Sequence, residues 1–160
     1  MNHLRKFKHF NNQNIDIKIE DIEDIFSGVF DCGLKLNDCF VGVHLYPPKG
    51  YDIYSTKEYT LSAYRDKDAK SFKSFSVRLY PKDHDFVFDD DLFTELDLSI
   101  EIMENKYSMK FAIIQVRTPE GIWMTSISKF REWFYDLSKE EKEKFKVTSY
   151  LDIIFNTECV

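Results

Sequence analysis

The sequence predicts an α+β single domain, a mainly antiparallel sheet entered through an N-terminal amphipathic helix and closed by a C-terminal helix and strand. Three observations carry this. Apolar residues between Ile15 and Phe30 recur at spacings of three and four, segments after Gly33 change to a period of two, and short turn-forming stretches separate most of those segments. At 160 residues one domain is the default, able to bury roughly 70% of the surface its unfolded chain would expose. The expected division is a basic arm over residues 1–14 and one folded domain over residues 15–160.

Taken in order, Leu4, Phe7 and Phe10 sit at helical spacing among Arg5, Lys6 and Lys8, and Asn11 to Asn14 break the pattern, which suits a short helix or loose arm. From Ile15 the positions Ile19, Ile22, Phe26, Val29 and Phe30 trace one helical face, and Gly33 stands where a glycine stops a helix. Cys39, Val41, Val43 and Leu45 then alternate with Phe40, Gly42, His44 and Tyr46 until Pro47 and Pro48, as a strand does. Tyr59 to Tyr64 and Ser74 to Tyr80 alternate in the same way around a polar loop, which predicts a hairpin.

The stretch from Leu92 to Met103 supports two readings. A helix would line up Leu92, Leu96, Ile100 and Met103 but leave Leu98 and Ile102 in water. A strand puts Leu96, Leu98, Ile100 and Ile102 on one side and Glu95, Asp97, Ser99 and Glu101 on the other. The strict period of two favours the strand, with Glu104 to Lys106 as a turn. Met109 to Arg117 is the expected return strand, central because Phe111 to Ile114 are continuously apolar, and Ile122 to Thr125 a short strand after a turn at Thr118 to Gly121. Ile127, Phe130, Phe134 and Leu137 predict a helix, Ser138 and Glu141 a capping box for a second short one, and Val147 to Phe155 a last strand, placed at an edge.

Charge is distributed unevenly. The chain holds 22 Lys and Arg against 28 Asp and Glu, a net charge of −6. Residues 81–104 carry −8, residues 16–31 carry −5, and the other 120 residues carry +7. Two acidic stretches repel a phosphate backbone, so general nucleic-acid binding is disfavoured and a basic protein partner favoured. No stretch approaches about 18 consecutive apolar residues. The opening MNHLRKFKHFNNQN lacks the apolar centre of a signal peptide, so no membrane association and a cytoplasmic location are expected. The three cysteines, Cys32, Cys39 and Cys159, form no C-x-x-C pair, and reduced thiols are the simplest account.

Local signatures of catalysis are missing. The isolated glycines build no phosphate loop or dinucleotide turn, no G-x-S-x-G or H-E-x-x-H occurs, and no cofactor is expected. Ser126 and Lys129 share the S-x-x-K spacing, but a serine at a helix start has an ordinary capping job. The tyrosines Tyr46, Tyr51, Tyr54, Tyr59, Tyr64 and Tyr80 beside Arg65, Lys73 and Arg78 suit half-exposed strand positions, a protein interface or a base-stacking platform. Asp83-His84-Asp85 with Asp89-Asp90-Asp91 could supply two or three carboxylates to Mg²⁺ or Mn²⁺, with His84 as a base, for a hydrolase or nuclease, the candidate set being Asp83, His84, Asp85 and Asp89, although aspartates after Pro81 also suit a solvated loop.

The opening residues, the acidic run Asp21-Ile22-Glu23-Asp24-Ile25-Phe26 and the sequence Cys32-Gly33-Leu34-Lys35-Leu36 resemble the start of small accessory proteins of tailed phages with AT-rich genomes. The rich content of Phe, Ile, Lys, Asn, Tyr and Asp fits such a genome. The resemblance covers about 35 residues and implies a phage-encoded accessory protein that binds and inhibits a host or defence factor in the host cytoplasm.

The expected function is therefore non-enzymatic protein binding. Its contact residues would be Glu20, Asp21, Glu23 and Asp24 on the first helix with Asp83, Asp85, Asp89, Asp90, Asp91, Glu95, Asp97 and Glu101 in the second acidic segment. The metal-dependent enzyme and a virion-associated structural module are the alternatives.

Overall fold

Ile19, Ile22 and Ile25 place apolar side chains on one side of a helix, and Phe26 continues that stripe while breaking the backbone. At Phe26 (φ −95°, ψ 11°) the helix is interrupted, so the expected single helix is two: α1, Ile19–Ile25, and α2, Ser27–Asp31. Gly33, at φ 105°, occupies the region that disfavours a Cβ and ends the pair. In this computed structural model the described residues are 7–8, 14–15, 17–46, 70–83, 89–118, 121–125, 127–136, 138–139 and 150–158.

A five-stranded antiparallel sheet follows, in the order β3-β4-β7-β5-β6. Its strands are β3, Leu34–Leu45; β4, Ser71–Pro81; β5, Lys110–Thr118; β6, Gly121–Thr125; and β7, Tyr150–Asn156. Near the N-terminus β1, Phe7–Lys8, pairs with β2, Asn14–Ile15, so these residues are extended where a short helix was one expectation. Between β4 and β5 runs α3, Asp90–Tyr107, and after β6 comes α4, Ile127–Asp136. Sheet and helices together make the α+β fold the sequence predicts.

Three expectations need correction. Residues 92–104 are helical, and Glu104 to Lys106 belong to the same helix rather than to a turn. The helix wins because its buried face takes Leu92, Phe93, Leu96, Ile100 and Met103, whereas a strand would turn Phe93 and Met103 to the polar side. Asp89 also caps it, its Oδ1 accepting from the Leu92 N–H at 2.9 Å, and Asp90 and Asp91 favour the positive end of the helix dipole. The helix stops at Ser108, which adopts the left-handed conformation (φ 52°, ψ 33°) common after a helix end.

The last strand is the middle of the sheet, not an edge. β7 bonds to β4 through pairs from Leu79–Leu151 to Ser74–Asn156, and to β5 through pairs from Arg117–Tyr150 to Lys110–Asn156. Its run Ile153-Ile154-Phe155 is buried on both faces, which is why no alternation marks it. The third correction concerns β4, whose two hydrogen-bonding edges go to β3 and β7. The expected hairpin with residues 59–64 is thus not what positions it, and residues 59–64 lie outside those described, as does most of the proposed capping-box helix.

The core lies between the sheet and the layer made by α1, α2 and α3. Cys39, Phe75, Val77, Leu79, Leu151, Ile153 and Phe155 meet Ile22, Phe26, Val29, Phe93, Leu96 and Met103 in one apolar cluster. A bulge between Phe111 and Ile113 lets Phe111 and Ile114 both join that side, with the Phe111 and Phe155 rings edge to face at 6.2 Å.

Candidate functional site

Both acidic segments contribute to the helical layer, residues 19–31 through α1 and α2 and residues 90–104 through α3. Three contacts set α1 and α2 antiparallel alongside α3: Lys106 Nζ lies 3.7 Å from Asp21 Oδ1, the Ser99 hydroxyl donates to the Ile25 carbonyl at 3.0 Å, and the Glu95 carboxylate lies over Gly28. A Cβ at Gly28 would run into the end of the flexible Glu95 side chain, which a glycine leaves in place. Glu20, Glu23 and Asp24 are exposed on α1, and Asp91, Asp97 and Glu101 are exposed on α3.

Other predicted contact residues have structural work. Asp89 is the helix cap. Asp90 accepts from Arg131 Nη2 at 3.1 Å and from the Tyr135 hydroxyl, tying α4 to the start of α3. The Tyr135 bond, then Arg131, holds the Asp90 carboxyl below its ordinary range. Arg131 also lies over the Phe93 ring, 5.8 Å from its centre, and the Tyr135 and Phe93 rings are 5.9 Å apart. Loss of hydration raises the Asp97 carboxyl above its ordinary value, with Arg131 opposing. Asp21 is half-buried beside Lys106, and Glu104 accepts from the Phe111 N–H at 3.3 Å. Asp83 is exposed just past β4, whereas Asp85 and His84 lie outside the described residues.

Among the described residues no three His, Cys, Asp or Glu side chains come together to hold a metal ion. Asp83 and Asp89 are the described members of the alternative metal set, and Asp89 is committed to the Leu92 N–H. Cys32 is a free thiol and Cys39 is buried. Burial first, and then Asp89, Glu95, Asp91 and Asp31, raises the Cys32 thiol, which disfavours the reactive thiolate. No described helix is long and apolar enough to cross a membrane. An open groove of about 300 Å³ lies between α2 and the start of β3, with Phe30 and Leu36 beside Glu23, Lys35 and Lys82. Lys82 Nζ is committed there to the Phe30 carbonyl at 2.6 Å.

The opposite sheet face holds a buried ion pair that sequence reasoning missed. Arg78 and Asp152 sit directly across β4 and β7 and form two bonds, Nε–Oδ1 at 2.8 Å and Nη2–Oδ2 at 2.9 Å. The Asp152 side chain is 3% exposed and that of Arg78 27%. The carboxylate bond keeps the guanidinium pKa above its usual value despite burial. Arg78 also lies over the rings of Tyr150 at 3.9 Å and Phe40 at 4.9 Å, a stacked environment that suits a planar cation. An aspartate inside the run Tyr150 to Phe155 was the readable sign that a buried cation must answer it.

Further along, Asn156 Nδ2 donates to the Tyr46 hydroxyl at 2.8 Å, and the Tyr46 ring packs on Phe72 at 4.5 Å. His44 lies 5.7 Å from Phe72, and its buried Nε2 has no hydrogen-bond partner among the described residues. Of the tyrosine set, Tyr46 and Tyr80 are described, Tyr80 facing Tyr150 at 6.4 Å. Tyr51, Tyr54, Tyr59 and Tyr64 lie outside the described residues, as does Ser126, while Lys129 is exposed on α4.

The class the fold defines is an α+β domain whose antiparallel sheet carries a helical layer on one side. Compared with known proteins, the chain matches no family model, no curated protein and no solved structure.

Proposed function

We propose that this chain is a non-enzymatic binding protein that offers the α1–α3 layer to a basic protein partner. The carrying observation is that the contacts of Asp21 with Lys106, Ile25 with Ser99 and Gly28 with Glu95 lay two separate acidic segments side by side. Exposed Glu20, Glu23, Asp24, Asp91, Asp97 and Glu101 then add their fields, which speeds encounter with a positive surface and rejects negative ones. The resemblance of residues 1–36 to phage accessory proteins supports a more specific role, an inhibitor of a host or defence factor acting in the host cytoplasm.

The test uses residues free of capping duty. After partner capture from host lysate and its identification, affinity is measured for the chain and for the Glu20→Gln/Glu23→Gln/Asp24→Asn/Glu101→Gln variant across a salt series. A loss of tenfold or more, with a flatter salt dependence, is expected. Unchanged affinity refutes the acidic face as the binding surface.

A further inference from the structure

An apolar ridge runs through the middle of this layer. At about 100° per residue, Asp91, Thr94, Leu98, Glu101, Ile102 and Asn105 fall on one side of α3, and all six are exposed. Leu98 is 48% and Ile102 44% exposed, among the most exposed large apolar side chains described. Four residues apart, they are neighbours on the helix surface. They are also the two residues that favour the strand reading of the sequence, because a helix leaves them exposed.

We infer that Leu98 and Ile102 are the centre of a docking face for a basic amphipathic helix of a partner protein. The inference rests on the proposed acidic binding layer and names its occupant. An apolar centre inside a charged rim is how protein interfaces are built, and the rim here is negative on balance: Asp91 on the ridge line, Asp97 and Glu101 with Arg131 on one flank, Glu95 and the α1 carboxylates with Lys106 on the other. A second copy of this chain would set those carboxylates against their own kind, so self-pairing through this face is disfavoured. An i, i+4 ridge fits between the ridges of a second helix. The stretch from Asp91 to Asn105 spans about 21 Å, or roughly four helical turns.

The probe is a synthetic peptide of that length with two leucines four residues apart, flanked by Lys and Arg. Its control has the same composition with the leucines placed on opposite sides. Fluorescence anisotropy and far-ultraviolet circular dichroism read affinity and helix content. The patterned peptide is expected to bind at least tenfold more tightly than the control, to gain helix on binding, and to lose at least tenfold in affinity for the Leu98→Ser/Ile102→Ser variant. Leu98→Met/Ile102→Met should retain most of the affinity, and thermal unfolding of each variant confirms that it folds. No binding, equal binding of the two peptides, or an unaffected serine variant overturns the inference. So does a dimer of the unaltered chain that the serine variant abolishes in sedimentation equilibrium. If the four-residue carboxylate variant loses both peptides while the serine variant loses neither, the helix-docking inference fails and the acidic reading survives. If the carboxylate variant retains both peptides, the acidic reading itself fails.

Discussion

On the side of the sheet facing α1, α2 and α3, burial is almost purely apolar, with Phe75, Val77, Ile153 and Phe155 packed against Phe26, Phe93 and Leu96. On the other side the same strands bury Ser74, Ser76, Asp152 and Asn156 beside Ile113 and Ile154. Apolar burial is non-directional and tolerates any partner of suitable size. Polar burial needs specific partners, and Asp152 meets that need with Arg78 Nε and Nη2 while His44 Nε2 finds none among the described residues. Single changes should therefore expose different weaknesses on the two sides.

The two largest effects, similar in size, are expected one on each side and differ in what can rescue them. Asp152→Ala leaves the Arg78 guanidinium without its carboxylate and should cost about 3–5 kcal/mol in urea unfolding. The double change Arg78→Met/Asp152→Leu should cost far less, because both charges leave together. If the double variant is as unstable as the single one, the pair is not what stabilises that face. Phe75→Ala, on the apolar side, should cost about 3–5 kcal/mol through lost contact and the cavity left behind, and no second substitution on the polar side should restore it.

A smaller effect sharpens the comparison through pH. Burial lowers the His44 pKa from its ordinary 6.5, so the unfolded chain takes up this proton while the folded chain resists it. Over that window the unfolded state binds more protons, and stability should fall as pH drops below about 6.5. His44→Phe removes both the proton site and the orphaned nitrogen. It should flatten the decline seen in thermal unfolding between pH 7 and pH 5 and raise stability at neutral pH by about 1 kcal/mol. An unchanged pH profile would place the acid sensitivity elsewhere.

The smallest effect belongs outside both faces. Leu98→Ser removes an apolar side chain that is 48% exposed, and its stability should stay within about 0.5 kcal/mol of the parent. A loss of 2 kcal/mol would mean that Leu98 is packed, and the ridge would then be core rather than docking surface.

Much of this molecule follows from local pattern. The stripe Ile19, Ile22, Phe26 and Val29, the alternation through β3 and β4, the helical spacing in α4 and the two acidic runs are properties of neighbouring residues, legible because a helix or strand repeats every few positions. Local pattern failed where two periods competed, at Leu92 to Met103, and where both sides of a strand are buried, at Ile153 to Phe155. In the first case the Asp89 cap and the competition of Phe93 and Met103 for the core selected the helix. In the second, the places on each side of β7 were filled by β4 and β5, strands remote in sequence.

The composition of the layer was thus set by the sequence alone: which residues are acidic, and that α1 has an apolar side. Which acids stand next to one another, which are used up by Leu92, Arg131 and Tyr135, and that Leu98 and Ile102 come to lie among them were decided by the packing of α1 and α2 along α3. The reason is physical. Periodicity fixes the faces of one element, but a pairing between elements depends on contacts across dozens of residues that no local repeat encodes.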